Sequence, residues 1–400
     1  MLFDMDISKI LGREEFLFRE EVEKYGELIR DIVRRSSFLV LGGAGSVGQQ
    51  VVKELIKYTP PKLHIVDLNE NNLVELVRDV RSSDLESSVE FKTFVLDISS
   101  REFEEYFRNE TPFDYIMNLS ALKHVRSEKD PYTLMRMVQV NVINVNQLME
   151  LAVDKGCKRF FSVSTDKAVN PVNLMGATKR IMELLLKSKM DAISVSSSRF
   201  VNVAFSEGSL LWGFLKRLEK DQPLAAPEGI SRYFITPEEA GALCAIAALL
   251  SKSGDIFIPK MQETLEPLCM VDIACRLLNY AGFEPYLTHD GAEAKRKLQF
   301  LKSQGKWPVY ITPADTTGEK ELEELYYPAE IPDFNKFNNI GVVNLGKVGP
   351  ERYDVARFID GIKILLDRGG WSREEISRLA KRVIPEFVHR DTGTFLDDRM

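Results

Sequence analysis

The sequence predicts an α/β protein with a doubly wound parallel sheet at its centre. A helical extension at residues 1–36 precedes the sheet, and a smaller mixed region follows it. Three observations carry this expectation. Short apolar runs alternate with segments of helical period from residue 37 to about 200. The first run stops at a glycine cluster that opens a helix. After about residue 205 the alternation loosens.

The elements follow in order. Val22, Tyr25, Leu28, Ile29, Ile32 and Val33 form one apolar stripe at helical spacing. That stripe fits a helix packed on the main body, or a lid or contact between subunits. Ser37 to Leu41 reads as the first strand, and Val47 to Lys57 as a helix closed by Pro60-Pro61. Leu63 to Asp67 is a second strand that ends in an acid. A helix from about Asn71 to Arg81 leads to a third strand, Phe91 to Leu96. Tyr115 to Leu119 is a fourth strand. Leu134 to Lys155 is a long helix, and Arg159 to Ser164 is a fifth strand. Helix 176–189 and strand Ile193 to Ser197 complete the alternation, which implies βαβ units. Helices near 209–219 and 237–252 and a strand at Asp255 to Ile258 come next. Residues 283–345 have weak periodicity, and Val355 to Leu366 and Arg373 to Val383 are helical. Along the chain this divides as 1–36, 37–205 and 206–400.

Composition narrows the function. Hydrophobic residues make up 44% and charged residues 28%, as in ordinary globular proteins. The net charge of −7, with no basic block, argues against nucleic acid or an anionic membrane as partner. No apolar run is long enough to span a bilayer. Cys157, Cys244, Cys269 and Cys275 form no CxxC, and they read as buried thiols of a cytoplasmic protein. The four histidines have no ligand spacing, so no metal is expected.

The glycine cluster is GxxGxxG at Gly42, Gly45 and Gly48, between a strand and a helix. Glycine lets backbone approach a pyrophosphate, and Ser46 and Val47 open a helix whose N–H groups face anions. With this turn the sheet is of Rossmann type. Asp67 follows Gly48 by 19 residues, where a carboxylate can accept from ribose hydroxyls and repel a 2′-phosphate. The expected cofactor is therefore NAD rather than NADP. Asp97 and Ile98, after the third strand, are placed to meet adenine.

The segment Ser164-Thr165-Asp166-Lys167 begins at a strand end, where open α/β sheets hold their chemistry. It continues through Asn173 and Gly176-Ala177-Thr178-Lys179 into a helix. With these residues the chain resembles the extended short-chain dehydrogenase/reductases. Within them it is similar to the polysaccharide-biosynthesis group of inverting UDP-N-acetylglucosamine 4,6-dehydratases. Other matches in order are Ile10 to Arg13, Ser120 to Val125, Asn141-Val142, Arg199 to Val203 with Gly208-Ser209, Ser231 to Thr236, and Gly318-Glu319-Lys320.

The resemblance implies a reaction on the hexose of a nucleotide sugar: oxidation at C4, loss of water across C5–C6, and hydride return to C6. It implies Lys167 as the base at C5 and Asp166 as the acid at C6. A base must be neutral and an acid protonated, and two adjacent groups of unlike type suit that division. Thr165 would bond the C4 oxygen, and Lys179 would hold the nicotinamide ribose. Ser120 and Ala121 would border the cofactor. Lys123, His124, Asn202, Arg232 and Glu319 would contact substrate, which makes the C-terminal region the substrate-binding part. Met175 stands where most of the superfamily has Tyr, and a thioether takes no proton. The C4 base is thus open among Lys167, Asp166 and a water relay. Leu41 replaces the usual Thr of the glycine motif, and Thr316-Thr317 replace Arg-Pro before the late Gly-Glu-Lys.

The product would feed bacterial surface-glycan synthesis. Helices 134–155 and 176–189 commonly pair between subunits in this superfamily, so a homo-oligomer is expected. Two rival readings stand beside the dehydratase. One is a nucleotide-sugar epimerase, which needs no acid at C6, and the other is a non-catalytic NAD-binding protein.

Overall fold

The computed structural model describes residues 5–82, 89–314, 323–347, 354–390 and 393. Its main sheet has eight strands: β1 (Ser37–Leu41), β2 (Lys62–Asp67), β3 (Glu90–Val95), β4 (Tyr115–Asn118), β5 (Arg159–Thr165), β6 (Ser194–Phe200), β7 (Asp255–Pro259) and β8 (Ile340–Asn344). Their order is β3-β2-β1-β4-β5-β6-β7-β8. All neighbours are parallel except β8, which runs antiparallel to β7. Strand order reverses between β1 and β4. That reversal opens a crevice at their C-terminal ends, the place where such sheets bind ligands.

The expected strands are present within a few residues at each end. The long helix differs. Pro131–Val138 and Asn144–Lys155 are α-helical, but Gln139–Ile143 between them is a π turn. Asn141 lies at the middle of this wider turn. It donates to the Leu122 carbonyl and the Thr178 hydroxyl, both at 2.9 Å, and accepts from the Leu122 N–H at 3.0 Å.

The core divides differently from the chain. β7 and β8 lie beyond residue 205, yet they extend the main sheet. Their apolar runs, Ile256 to Ile258 and Ile340 to Val343, are buried in the principal core. Helices Val355–Arg368 and Arg373–Val383 pack on the same core and cover helix Leu174–Ser188. That last helix is buried along nearly its whole length. A second core forms around a three-stranded parallel sheet of Leu224–Pro227, Glu284–Thr288 and Lys306–Thr312, with Trp307 and Leu277 inside. Trp212 packs at its edge.

The N-terminal extension is tied down on both cores. Ile10 and Leu11 enter the second, while Ile29 and Val33 enter the first. Glu239 explains the tether. It caps helix Pro237–Leu250 in a capping box with Thr236. The same carboxylate takes both arms of Arg13, at 2.9 and 2.8 Å, and the Leu17 N–H at 2.9 Å. No helix among the described residues is long and apolar enough to cross a membrane.

Candidate functional site

The glycine turn joins β1 to helix Ser46–Ile56. Gly42 has φ +70°, and a Cβ there would lie 2.7 Å from the Ser120 nitrogen across the strand reversal. A Cβ on Gly48 would lie 2.1 Å from the Gly42 carbonyl oxygen. Both positions therefore need glycine. Gly45 precedes the helix and supplies no side-chain cap. Val47 packs on the core, and the Ser46 hydroxyl accepts from the Glu207 N–H at 3.0 Å. Asp67 ends β2 and closes the turn, with Oδ2 accepting from the Ala44 N–H at 2.9 Å. This is a cradle of backbone beside a carboxylate, and it fits the pyrophosphate and ribose of a dinucleotide.

Asp97 and Ile98 follow β3. The Asp97 carboxylate accepts from the backbone N–H and hydroxyl of Ser99, and from Arg136 at 2.8 Å. Burial alone would raise its pKa, but these bonds outweigh burial and hold it below the usual value. Ile98 is half-buried, as are Ser120 and Ala121 in the loop after β4. Asn118 steadies that loop, its side chain accepting from the Ser120 N–H at 3.2 Å.

Thr165, Asp166 and Lys167 leave the end of β5 in a single 3₁₀ turn. The Asp166 side chain is 3% exposed and that of Lys167 is 33% exposed, so one is sealed while the other reaches solvent. Lys167 Nζ stands 3.1 Å from Asp166 Oδ1 and 3.4 Å from Oδ2. The Thr165 hydroxyl donates to Asp166 Oδ1 at 2.7 Å. In this arrangement the Thr165 hydroxyl is turned to the Asp166 carboxylate, whereas the resemblance implies a bond from Thr165 to the C4 oxygen of a substrate.

Helix Leu174–Ser188 starts against this turn, capped by the Asn173 side chain on the Gly176 N–H. Met175 is buried in the core, and its N–H donates to Glu128 Oε1 at 2.7 Å. His389 holds the other oxygen of Glu128 at 3.0 Å. Lys179 is buried and donates to the Val163 carbonyl on β5 at 3.0 Å. Burial pushes its pKa down to about 8, against an upward pull from Glu183.

Lys123 reaches the Ser206 hydroxyl at 3.2 Å, which links the loop after β4 to the segment after β6. It is open to solvent yet has protein on most sides, as on a cleft wall. That enclosure lowers its pKa; Glu207 pulls it up and Lys167 pushes it further down. His124 packs its ring against Gly208, where a Cβ would meet Nε2 at 2.7 Å. Asn202 and Arg232 meet at Glu323: Asn202 Nδ2 donates to Oε1 at 2.7 Å, and Arg232 Nε stands 3.6 Å from it. Glu319 lies outside the described residues, as do Thr316, Thr317, Gly318 and Lys320.

The structure thus brings the Asp166–Lys167 pair, Lys179 and Asn202 to one end of the sheet, with the glycine cradle beside them. Asn141, Glu128, Gly176 and Glu323 serve the same site and are missing from the sequence-based site. Asn141 and Gly176 lie in motifs that the resemblance had already marked, without a role, and Glu128 carries no local signature of its contact with Met175. Glu323 follows Gly318-Glu319-Lys320 closely enough for that motif to have pointed to it.

Fold and site together define an α/β protein with a glycine turn fitted to a dinucleotide and an Asp–Lys pair at the mouth of its crevice. The family described as polysaccharide biosynthesis protein matches residues 38–344, and the chain belongs to it. It is 33% identical over 326 residues to a Methanocaldococcus jannaschii protein described as uncharacterized membrane protein MJ1061, spanning 79% of this chain and 87% of that one. It is 26% identical over 332 residues to UDP-N-acetylglucosamine 4,6-dehydratase (inverting) of Campylobacter jejuni, spanning 80% and 91%. The fold is similar to that of DesIV, a dTDP-glucose 4,6-dehydratase of Streptomyces venezuelae solved with NAD and TYD bound. That likeness has a TM-score of 0.55 at 17% identity and spans 85% of this chain and 99% of that one.

Proposed function

We propose that this chain is an NAD-dependent nucleotide-sugar 4,6-dehydratase, acting on UDP-N-acetylglucosamine or a close relative. The observation that carries the reading is the contact of Asp166 with Lys167 at the end of β5, beside the glycine cradle. Similarity to the Campylobacter jejuni dehydratase supports the substrate class. NAD, when bound, would supply the hydride acceptor for C4 and the donor for C6.

The protein's own part is acid/base chemistry. Lys167 Nζ, as the free amine, removes the C5 proton, which a C4 ketone has made acidic. Asp166, protonated, gives its hydrogen to the C6 hydroxyl. The C5–H electrons form the C5–C6 double bond, and the hydroxyl departs as water. Thr165, donating to Asp166 Oδ1, leaves Oδ2 as the oxygen to carry the transferred proton. Met175, buried and without a proton acceptor, takes no part in proton transfer, so its neighbours must take the C4 hydroxyl proton. Asp67 favours NAD over NADP by repelling a 2′-phosphate. The region around the second core would receive the nucleotide, and inversion at C5 is the expected outcome.

Mass spectrometry of the protein with NAD and UDP-N-acetylglucosamine in heavy water tests the reading. Loss of one water with deuterium gained at C5 supports it. An unchanged sugar mass with a new epimer favours an epimerase. No reaction with UDP-, GDP- or dTDP-linked sugars would overturn both.

A further inference from the structure

Asn202 is held in one orientation. Its amide nitrogen donates both to the Tyr233 carbonyl, at 3.1 Å, and to Glu323 Oε1, at 2.7 Å. Two acceptors on one side fix which end of the carboxamide is nitrogen. Oδ1 must then face the other way, where Lys167 Nζ lies 3.5 Å off. One neutral side chain therefore couples Glu323 to the acid/base pair.

Glu323 itself is unusual. Its side chain is 4% exposed, and Oε2 has no hydrogen-bond partner among the described residues. Buried polar atoms are rarely left unpaired. Among the described residues, the charged groups facing Glu323 are Asp166, Arg232 and Lys167. Burial and Asp166 push its carboxyl up; Arg232, Lys167 and the Asn202 bond pull it back. The cluster holds two carboxyls and two cationic side chains, so removing one charge disturbs the balance around Lys167. A purely structural partner for Asn202 would need only an acceptor, with no charge.

We propose that Glu323 is a positioning residue for Lys167, acting through Asn202 to hold Nζ beside Asp166 in a cluster whose charge Glu323 helps to balance. The consequence for turnover rests on the dehydratase reading, so the decisive measurement is made on Lys167 directly.

Trace labelling of the full chain with acetic anhydride, read by mass spectrometry, gives the reactivity of Lys167 relative to Lys158, whose side chain is 75% exposed. In Glu323→Gln the charge is gone and the shape kept, and Lys167 is expected to label about threefold faster, the effect of one carboxylate at a part-buried site. Glu323→Asp should return the rate toward wild type. Equal rates in wild type and Glu323→Gln would overturn the proposal, whatever the chain does to a nucleotide sugar. Faster labelling in a chain that removes no water would support Glu323 and overturn the dehydratase reading alone. If Glu323→Gln does not fold, Asn202→Ala breaks the link from the Glu323 carboxylate to Lys167 Nζ and is expected to accelerate labelling likewise. No acceleration there would overturn the proposal.

Discussion

A Cβ on Gly176 would lie 2.2 Å from the carbonyl oxygen of Lys167. The helix that carries Lys179 therefore abuts the turn that carries Asp166 and Lys167, backbone to backbone. Gly176→Ala must push the two apart, since neither neighbour is a flexible side chain. Overpacking of this kind costs about 1–3 kcal/mol. The larger effect is expected on rate, because a misplacement of about 1 Å in an acid/base pair can cost about 10²-fold. Thermal melting beside steady-state turnover separates the two: a modest loss of stability with a large loss of turnover is the expected pattern.

Lys167→Ala should fold and bind NAD, because Lys167 is part-exposed and lies outside the glycine cradle. Dehydration should fall by about 10²–10⁴, the usual worth of a placed acid or base. Wild-type turnover in this variant would remove Lys167 from the mechanism.

How much of this was legible depended on whether a residue acts by its chemistry or by its place. The glycine spacing, Asp67 and the Asp166–Lys167 pair carry their chemistry in their type. The sequence locates them, and the structure gathers their strand ends at one edge. Asn141 sits on a π turn inside the long helix, and no residue preference announces that turn. Helix Gly291–Ser303 and its flanking strands fall where the periodicity is weak. The exposed face of the helix is broad, and its buried set is small: Ala294, Leu298 and Leu301. The cover on helix Leu174–Ser188 comes from residues nearly two hundred positions away, a tertiary fact with no local signal. A homo-oligomer built on that helix would have to accommodate helices Val355–Arg368 and Arg373–Val383.

Asp67 has two duties. It clamps the turn through Ala44 and is placed to accept from a ribose. Asp67→Asn keeps one acceptor and loses the charge. NAD affinity should fall about tenfold or more, the worth of a hydrogen bond to a charged group. Discrimination against NADP should fall further, because the repulsion of a 2′-phosphate is gone. Titration with both nucleotides measures this, and an unchanged NAD-to-NADP ratio would remove Asp67 from cofactor choice.

Lys179 gives a pH dependence with a definite sign. Burial lowers its pKa from 10.5 to about 8. From about 8 to about 10.5 the folded chain holds the neutral amine while the unfolded chain holds the ammonium. This residue therefore makes stability rise with pH across that window and adds no slope below it. Its use as a cation runs the other way, being lost as pH rises through about 8. Turnover should fall along that limb, and Lys179→Met should show a lower rate without it. A pH–rate profile of both proteins from neutral to alkaline pH tests this.

Arg199 joins β6 to the rest of the site and is fully buried. It donates from Nε and Nη2 to Glu183 at 2.8 and 2.9 Å, and from Nη1 and Nη2 to Glu330 at 2.5 and 2.9 Å. Glu183 also takes the Ser164 hydroxyl at 2.6 Å, just before the turn that carries Asp166 and Lys167. Although burial works to raise it, the nearby Arg199 and Arg180 hold the Glu183 carboxyl down to about 2. A lowered carboxyl stabilises the fold above its ordinary value, 4.5, and loses that contribution as pH falls toward about 2. Arg199→Met removes the shared cation and leaves two buried carboxylates with Arg180 alone, at an expected cost of about 3–5 kcal/mol in urea unfolding. It should also flatten the loss of stability between pH 4.5 and about 2, since a Glu183 without Arg199 is no longer held so low. Replacing Glu183 and Arg199 together by Met should destabilise less than Arg199→Met, because no carboxylate is then stranded on the helix that carries Lys179.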